Sequence, residues 1–131
     1  MLVYDGYWGI NMKTLLMLLL TLVAITSFSL SAAAVSSLEL EINYLLRQVE
    51  TTECTFNRNG SRHKGAEAAA HIQRKYDYFK DDIKTAEDFI RTSATKSTMT
   101  RRAYTIECPQ QSPVTSESWL LVQLAKYRQG L

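Results

Sequence analysis

Two cysteines, Cys54 and Cys108, are the only ones in 131 residues, and each ends a short alternating segment. "CTFNR" puts Cys54, Phe56 and Arg58 on one side of an extended chain, and "YTIEC" does the same for Tyr104, Ile106 and Cys108. Antiparallel pairing sets Cys54 opposite Cys108, Phe56 opposite Ile106 and Arg58 opposite Tyr104, all in one register. A disulfide at that point clamps a two-stranded ribbon and forces everything between the cysteines to fold back over it. Closing so long a loop contributes about 4 kcal/mol in the chain-entropy model, a large share of what a small domain can muster. Such a ribbon is marginal alone and has to lie on helices.

A disulfide calls for an oxidising compartment, and the N-terminal third supplies a route to one. Lys13 is followed by the apolar run "LLMLLLTLVAITSFSL" and then by "SAAA", with Ala32 and Ala34 placed for an A-x-A cleavage before Val35. This order of charge, apolar run and small residues reads as a secretory signal peptide over residues 1–34 with an extended start. The residues before Asn11 carry Tyr4, Asp5, Tyr7 and Trp8 and no base, so Met12 is the better start of the leader. The competing reading is an uncleaved anchor, since Thr14 to Ala34 is nearly long enough to span a bilayer. Neither cysteine lies at the exit, which leaves no lipid-modified cysteine to begin the mature chain. A single exported domain over residues 35–131 is expected, periplasmic or secreted. Its net charge stays at +2 once Asp5 and Lys13 are removed, too mild for a nucleic-acid binder.

Along that domain, helical spacing alternates with capping signals. Ser36 and Glu39 form a capping-box pair ahead of Leu38, Ile42, Leu45, Leu46 and Val49. Asn59-Gly60 is a turn that leads from the first strand toward a second helix, Lys64 or Gly65 to Phe79, with Ala69, Ile72, Tyr76 and Phe79 inward. Thr85 and Asp88 open a third, with Ala86, Phe89, Ile90, Ser93 and Ala94 on one face. "TKSTMTRR" then connects to the second strand, which Pro109 and Pro113 close. Thr115 or Ser116 caps the last helix, which buries Leu120, Leu124 and Tyr127 flanked by Trp119 and Leu121 and ends at Gly130. The expected fold is mainly α, about four helices with one small two-stranded antiparallel β-ribbon and one disulfide.

In order, "YLL" at Tyr44 to Leu46, "CTFNRNG" from Cys54, "AEAAAHIQRKY" from Ala66, "TAEDFI" from Thr85, "KS" at Lys96 and Ser97, Tyr104 and "WLLVQL" from Trp119 resemble an uncharacterised family of small exported bacterial proteins, domain of unknown function 5329. The resemblance covers nearly the whole mature domain and implies its architecture and its export, but no catalytic residues. One departure shows: "TRRAY" stands where the family usually has a small residue or glycine before Tyr104.

Chemistry concentrates between Phe56 and Tyr76. Glu67, His71 and Lys75 recur every four residues and share one helix flank. Two readings stay open: a solvated, salt-bridged edge, or an anion-binding corner in which that flank joins Arg58 and Asn59 near a helix start. A second narrow stripe, Leu40, Tyr44 and Arg47, lies opposite the core face of the first helix and is a candidate partner surface.

Catalytic sets are harder to assemble. Only His63 and His71 are present, no HExxH occurs, and the cysteines are taken as paired. Ser61 and Ser97 lack a nucleophile-elbow frame, and Glu67 with His71 has no clear third metal ligand. We therefore expect a non-enzymatic envelope module without cofactor or metal, binding an envelope protein or an anionic ligand. The alternative is a small hydrolase or transferase using His71 and Glu67.

Overall fold

The computed structural model describes residues 11–13 and 35–131. The chain divides into two units, Met1–Ala34 and Val35–Leu131. In the first, the Lys13 N–H donates to Asn11 Oδ1 at 3.4 Å; the leader's apolar run, its A-x-A site and the alternative anchor lie outside the described residues. The second unit contains four helices and a four-stranded sheet among its described residues.

Helix α1 spans Ser37–Thr51 and starts at the expected capping box: Ser36 Oγ accepts from the Glu39 N–H at 3.2 Å, and Glu39 Oε2 accepts from the Ser36 N–H at 3.1 Å. Its stripe buries Ile42, Leu45 and Val49, with Leu38 and Leu46 partly covered. Strand β1, Thr55–Arg58, follows. Asn59-Gly60 does not lead directly to a helix; it closes a hairpin into β2, Ser61–His63, pairing Arg58 with Ser61. Both loop residues have positive φ, 53° and 86°, the twist that suits a two-residue hairpin, and Asn57 Oδ1 accepts from the Gly60 N–H at 3.0 Å.

Helix α2 covers Gly65–Phe79, followed by a 3₁₀ turn at Lys80–Asp82. Helix α3, Ala86–Phe89, is one turn behind a Thr85–Asp88 capping box and runs on as a π-helical turn, Ile90–Ala94. Strand β3, Thr105–Glu107, and β4, Val114–Thr115, form a hairpin that feeds α4, Ser116–Gln129. Thr115 caps α4, and Gly130 ends it at φ 73°.

The expected two-stranded ribbon is thus the centre of a larger antiparallel sheet ordered β2-β1-β3-β4. Its register is the one the alternation predicts: Thr55 faces Glu107, Phe56 faces Ile106 and Asn57 faces Thr105. The ladder stops before Arg58, because the Tyr104 N–H donates to Thr95 O at 2.9 Å instead. Both flanking strands are too short for an alternating pattern to announce them, and the prolines beside β4 read as a stop. Beyond the last rung, Cys54 and Cys108 form the disulfide, 54 residues apart.

Phe56 and Ile106 point from the sheet into a core of Ile42, Leu45, Ile72, Phe89, Leu120 and Leu124. Two helix faces differ from their periodicity. Helix α2 buries Ala68 with Ile72, while Ala69, Tyr76 and Phe79 are only partly covered; α4 turns Leu121 outward, leaves Tyr127 half-buried, and buries Ser116 and Gln123. The cause in α4 is Thr115, at once the last residue of β4 and the cap of the helix, so that strand and helix join without a linker and the rotation of α4 is fixed. Arg128 then ties three helices, reaching Glu41 of α1 at 2.7 Å and Glu87 of α3 at 2.6 Å.

Helix α2 begins in near-contact with the end of α1. A Cβ at Gly65 would collide with the carbonyl oxygen of Val49 and lie 2.9 Å from that of Glu50. Those backbone atoms cannot rotate away, so Gly65→Ala is expected to destabilise the domain by about 2 kcal/mol, read as a lower urea midpoint at unchanged slope. The double variant Cys54→Ser/Cys108→Ser is expected to lose about 4 kcal/mol by the same measurement, and a loss below about 1 kcal/mol would mean that the loop is already constrained without the bond.

Candidate functional site

The end of β1, the middle of α2 and the segment leading into β3 meet around Tyr104. His71 Nε2 lies 3.3 Å from the Tyr104 hydroxyl, with the rings edge to face at 6.0 Å between centroids. One turn later, Lys75 Nζ donates to Lys96 O at 2.8 Å and stands 5.5 Å from the centre of the Tyr104 ring. Asn59 Oδ1 accepts from Thr100 Oγ1 at 2.7 Å, which fastens the β1–β2 turn to the same segment. Arg101 holds that segment's turn at φ 61°, a left-handed position that disfavours a side chain, and this is where the sequence departs from the small residue expected.

Arg58, Asn59, His71 and Lys75 line one open groove of about 340 Å³ together with Ser97, Thr98, Met99 and Tyr104. Four of the five residues expected at the corner are therefore neighbours. Glu67, the fifth, borders not the groove but the adjoining cavity, where its Oε1 is 3.3 Å from Nδ1 of His63 at the end of β2. Helical spacing places Glu67 and His71 on one flank, but it does not report that β2 comes within reach of the first turn of α2.

Adjoining the groove lies a small, partly open cavity of about 20 Å³, whose lining includes Phe56, Arg58, His63, Glu67, His71, Tyr104 and Ser116. Arg58, His71 and Tyr104 border both spaces, which therefore adjoin. Ser116 is brought there by backbone, since its N–H donates to Tyr104 O at 2.9 Å. Sequence reasoning missed three participants: Tyr104 as the partner of His71, His63, and Ser116. The first was readable, because Tyr104 shares the alternating face of Ile106; Ser116 was not, because it looks like any helix-start serine.

The charges in this corner bear on one another. His71 is driven down from 6.5 to about 4, by burial first and then by Arg58, Lys75, Arg74 and His63, so it is a neutral imidazole at pH 7. Burial, and then Arg58, also pull Lys75 below its usual range. Burial raises the Tyr104 phenol, against the opposing pull of Arg58, so it keeps its proton. The corner therefore combines two cations, a neutral ring nitrogen and a phenol, a set able to hold an anion by charge and by hydrogen bonds. Among the described residues no three or more of His, Cys, Asp and Glu gather to hold a metal ion.

The second candidate surface is split. Tyr44 is half-buried with its ring 4.7 Å from that of Tyr127, whereas Leu40 is 48% exposed and Arg47 is exposed.

Because His71 titrates lower when folded than unfolded, the stability it carries is complete above pH 6.5 and is lost as pH falls toward about 4. The melting temperature is expected to drop by several degrees across that window. His71→Gln, which cannot titrate, should flatten the upper half of the drop, above the range where Glu87 and Asp88 protonate; an unchanged profile would place His71 in free solvent.

The chain is 36% identical over 67 residues to the uncharacterized protein YfeK of Salmonella typhimurium, an alignment covering 50% of this chain and 56% of that protein. The match thus spans little more than half the length of that relative. No solved structure matches. The model of the family of unknown function DUF5329 matches residues 36–128, from the α1 cap to Arg128 near the end of α4. On that match, over nearly all of the second unit, the chain belongs to the DUF5329 family.

Proposed function

We propose that this domain is an exported, non-enzymatic binding module of the cell envelope that holds an anionic ligand, carboxylate or phosphate, in the groove between Arg58 and Lys75. One observation carries the reading. Arg58 and Lys75 both border the groove and, like most of the cations, make no ion pair among the described residues; what sets them apart is that burial, and then Arg58, pull Lys75 below its usual range. Two unpaired cations side by side repel, and an anion between them removes that repulsion. Lys75 gives one hydrogen bond to Lys96 O, which leaves two of its three N–H groups for a ligand. The competing reading, a hydrolase or transferase driven by His71 and Glu67, has less support, because Glu67 faces His63 and His71 is engaged with Tyr104.

Export rests on the leader-like run before Val35 and agrees with a disulfide, which persists in oxidising compartments. Fractionation of cells expressing the whole chain, with intact mass, is expected to find a periplasmic or secreted product lacking residues 1–34; full-length protein held in the membrane would favour the anchor.

Binding is tested by titrating phosphate and acetate into the protein while following the His71 ring by NMR. Saturable shifts are expected, with the His71 pKa raised from about 4 as the anion offsets Arg58 and Lys75. Arg58→Ala should weaken binding about ten-fold or more while leaving the melting temperature nearly unchanged. Equal binding by the variant, or no saturable shift with either anion, would remove the groove as an anion site.

A further inference from the structure

The small cavity beside the groove is lined by polar groups that lack partners. Two buried side-chain atoms of its lining residues have no hydrogen-bond partner, His63 Nε2 and Ser116 Oγ. Ser116 is 1% exposed, so solvent does not serve its hydroxyl. Buried polar groups in native proteins are almost always paired, and two orphans on one cavity point to a group that joins them. The space, about 20 Å³, exceeds the roughly 10–15 Å³ that one water-sized group occupies.

The chemistry of the two atoms selects that group. Glu67 Oε1 lies 3.3 Å from His63 Nδ1, which keeps the proton of a neutral ring on Nδ1 and leaves Nε2 as an acceptor. The Ser116 hydroxyl can donate as well as accept. A carboxylate has no proton to give Nε2. An ammonium can donate to both atoms, but its charge would sit beside Arg58, which lines the same cavity with Glu67. A hydroxyl satisfies both, donating to His63 Nε2 while accepting from Ser116. Because Arg58, His71 and Tyr104 border groove and cavity alike, a hydroxyl in one and a charged group in the other are within the reach of one small molecule. Phe56, Ala68 and Ile72 offer its carbon atoms an apolar wall.

We propose that the cavity bounded by His63 and Ser116 is a hydroxyl subsite, so that the ligand class is a small hydroxycarboxylate with its carboxylate at Arg58 and its hydroxyl between His63 Nε2 and Ser116 Oγ. This rests on the anion reading of the groove and narrows it.

The test compares glycolate with acetate, and lactate with propionate, pairs that differ by one hydroxyl, binding to the protein as recovered from cells. The hydroxy acid is expected to bind about ten-fold tighter in each pair, because a site built to hydrogen-bond a hydroxyl penalises the analogue without one. Ser116→Ala should abolish that preference while leaving acetate affinity unchanged. Should the variant not fold, the His63 Nε2 nitrogen shift in the wild-type protein decides, as it moves with glycolate and stays still with acetate. Equal affinities with a still His63 would mean that the cavity holds structural water only, which overturns the subsite and leaves the anion groove standing. Absence of binding by all four acids would overturn both.

Discussion

Everything in this domain depends on the pairing of β1 with β3. Phe56 opposite Ile106 puts the two residues that anchor the sheet in the core side by side, and the disulfide beyond Thr55–Glu107 keeps the register from slipping. A one-residue slip would turn both core residues outward. The same register brings Arg58 and Tyr104 to the same end of the sheet. Because β1 then turns back through Asn59-Gly60, the chain reaches α2 from the far side of the hairpin, and α2 crosses with His71 and Lys75 toward Tyr104. The groove is thus a by-product of strand register, helix rotation and one tight turn.

Two close backbone approaches hold this arrangement. Gly65 lets α2 start against the last carbonyls of α1, and the Ser116 N–H fixes the start of α4 to Tyr104. Between them they put Ser116, His63 and His71 around one small space. The groove's electrostatics follow from packing: burial keeps His71 neutral and weakens the hold of Lys75 on its proton, while Arg58 stays charged beside them. Perturbed titration of grouped charges in a groove marks a candidate binding site, and scaffold charge networks produce the same signature.

Much of the scaffold was legible in the residues, for identifiable reasons. The two capping boxes, the α1 stripe and the strand register each rest on a local period or spacing, and each reappears in the fold. What was not legible depends on contacts between distant segments. The strands β2 and β4 are too short to show a pattern. Ala68 is buried instead of Ala69, because the approach at Gly65 sets the rotation of α2. At the site, Arg58, Asn59, His71 and Lys75 were marked by their chemistry, but the pairing of Glu67 with His63 and the arrival of Tyr104 and Ser116 needed the sheet and both hairpins.

The central claim is that the unpaired cations of the groove form a ligand site and are not a solvated edge. A crystal structure of the protein grown with phosphate tests it most directly. Phosphate oxygens are expected within hydrogen-bond distance of both the Arg58 guanidinium and Lys75 Nζ, bordered by Tyr104. Arg58 turned to a carboxylate of its own chain, with the groove holding ordinary solvent at saturating phosphate, would contradict it.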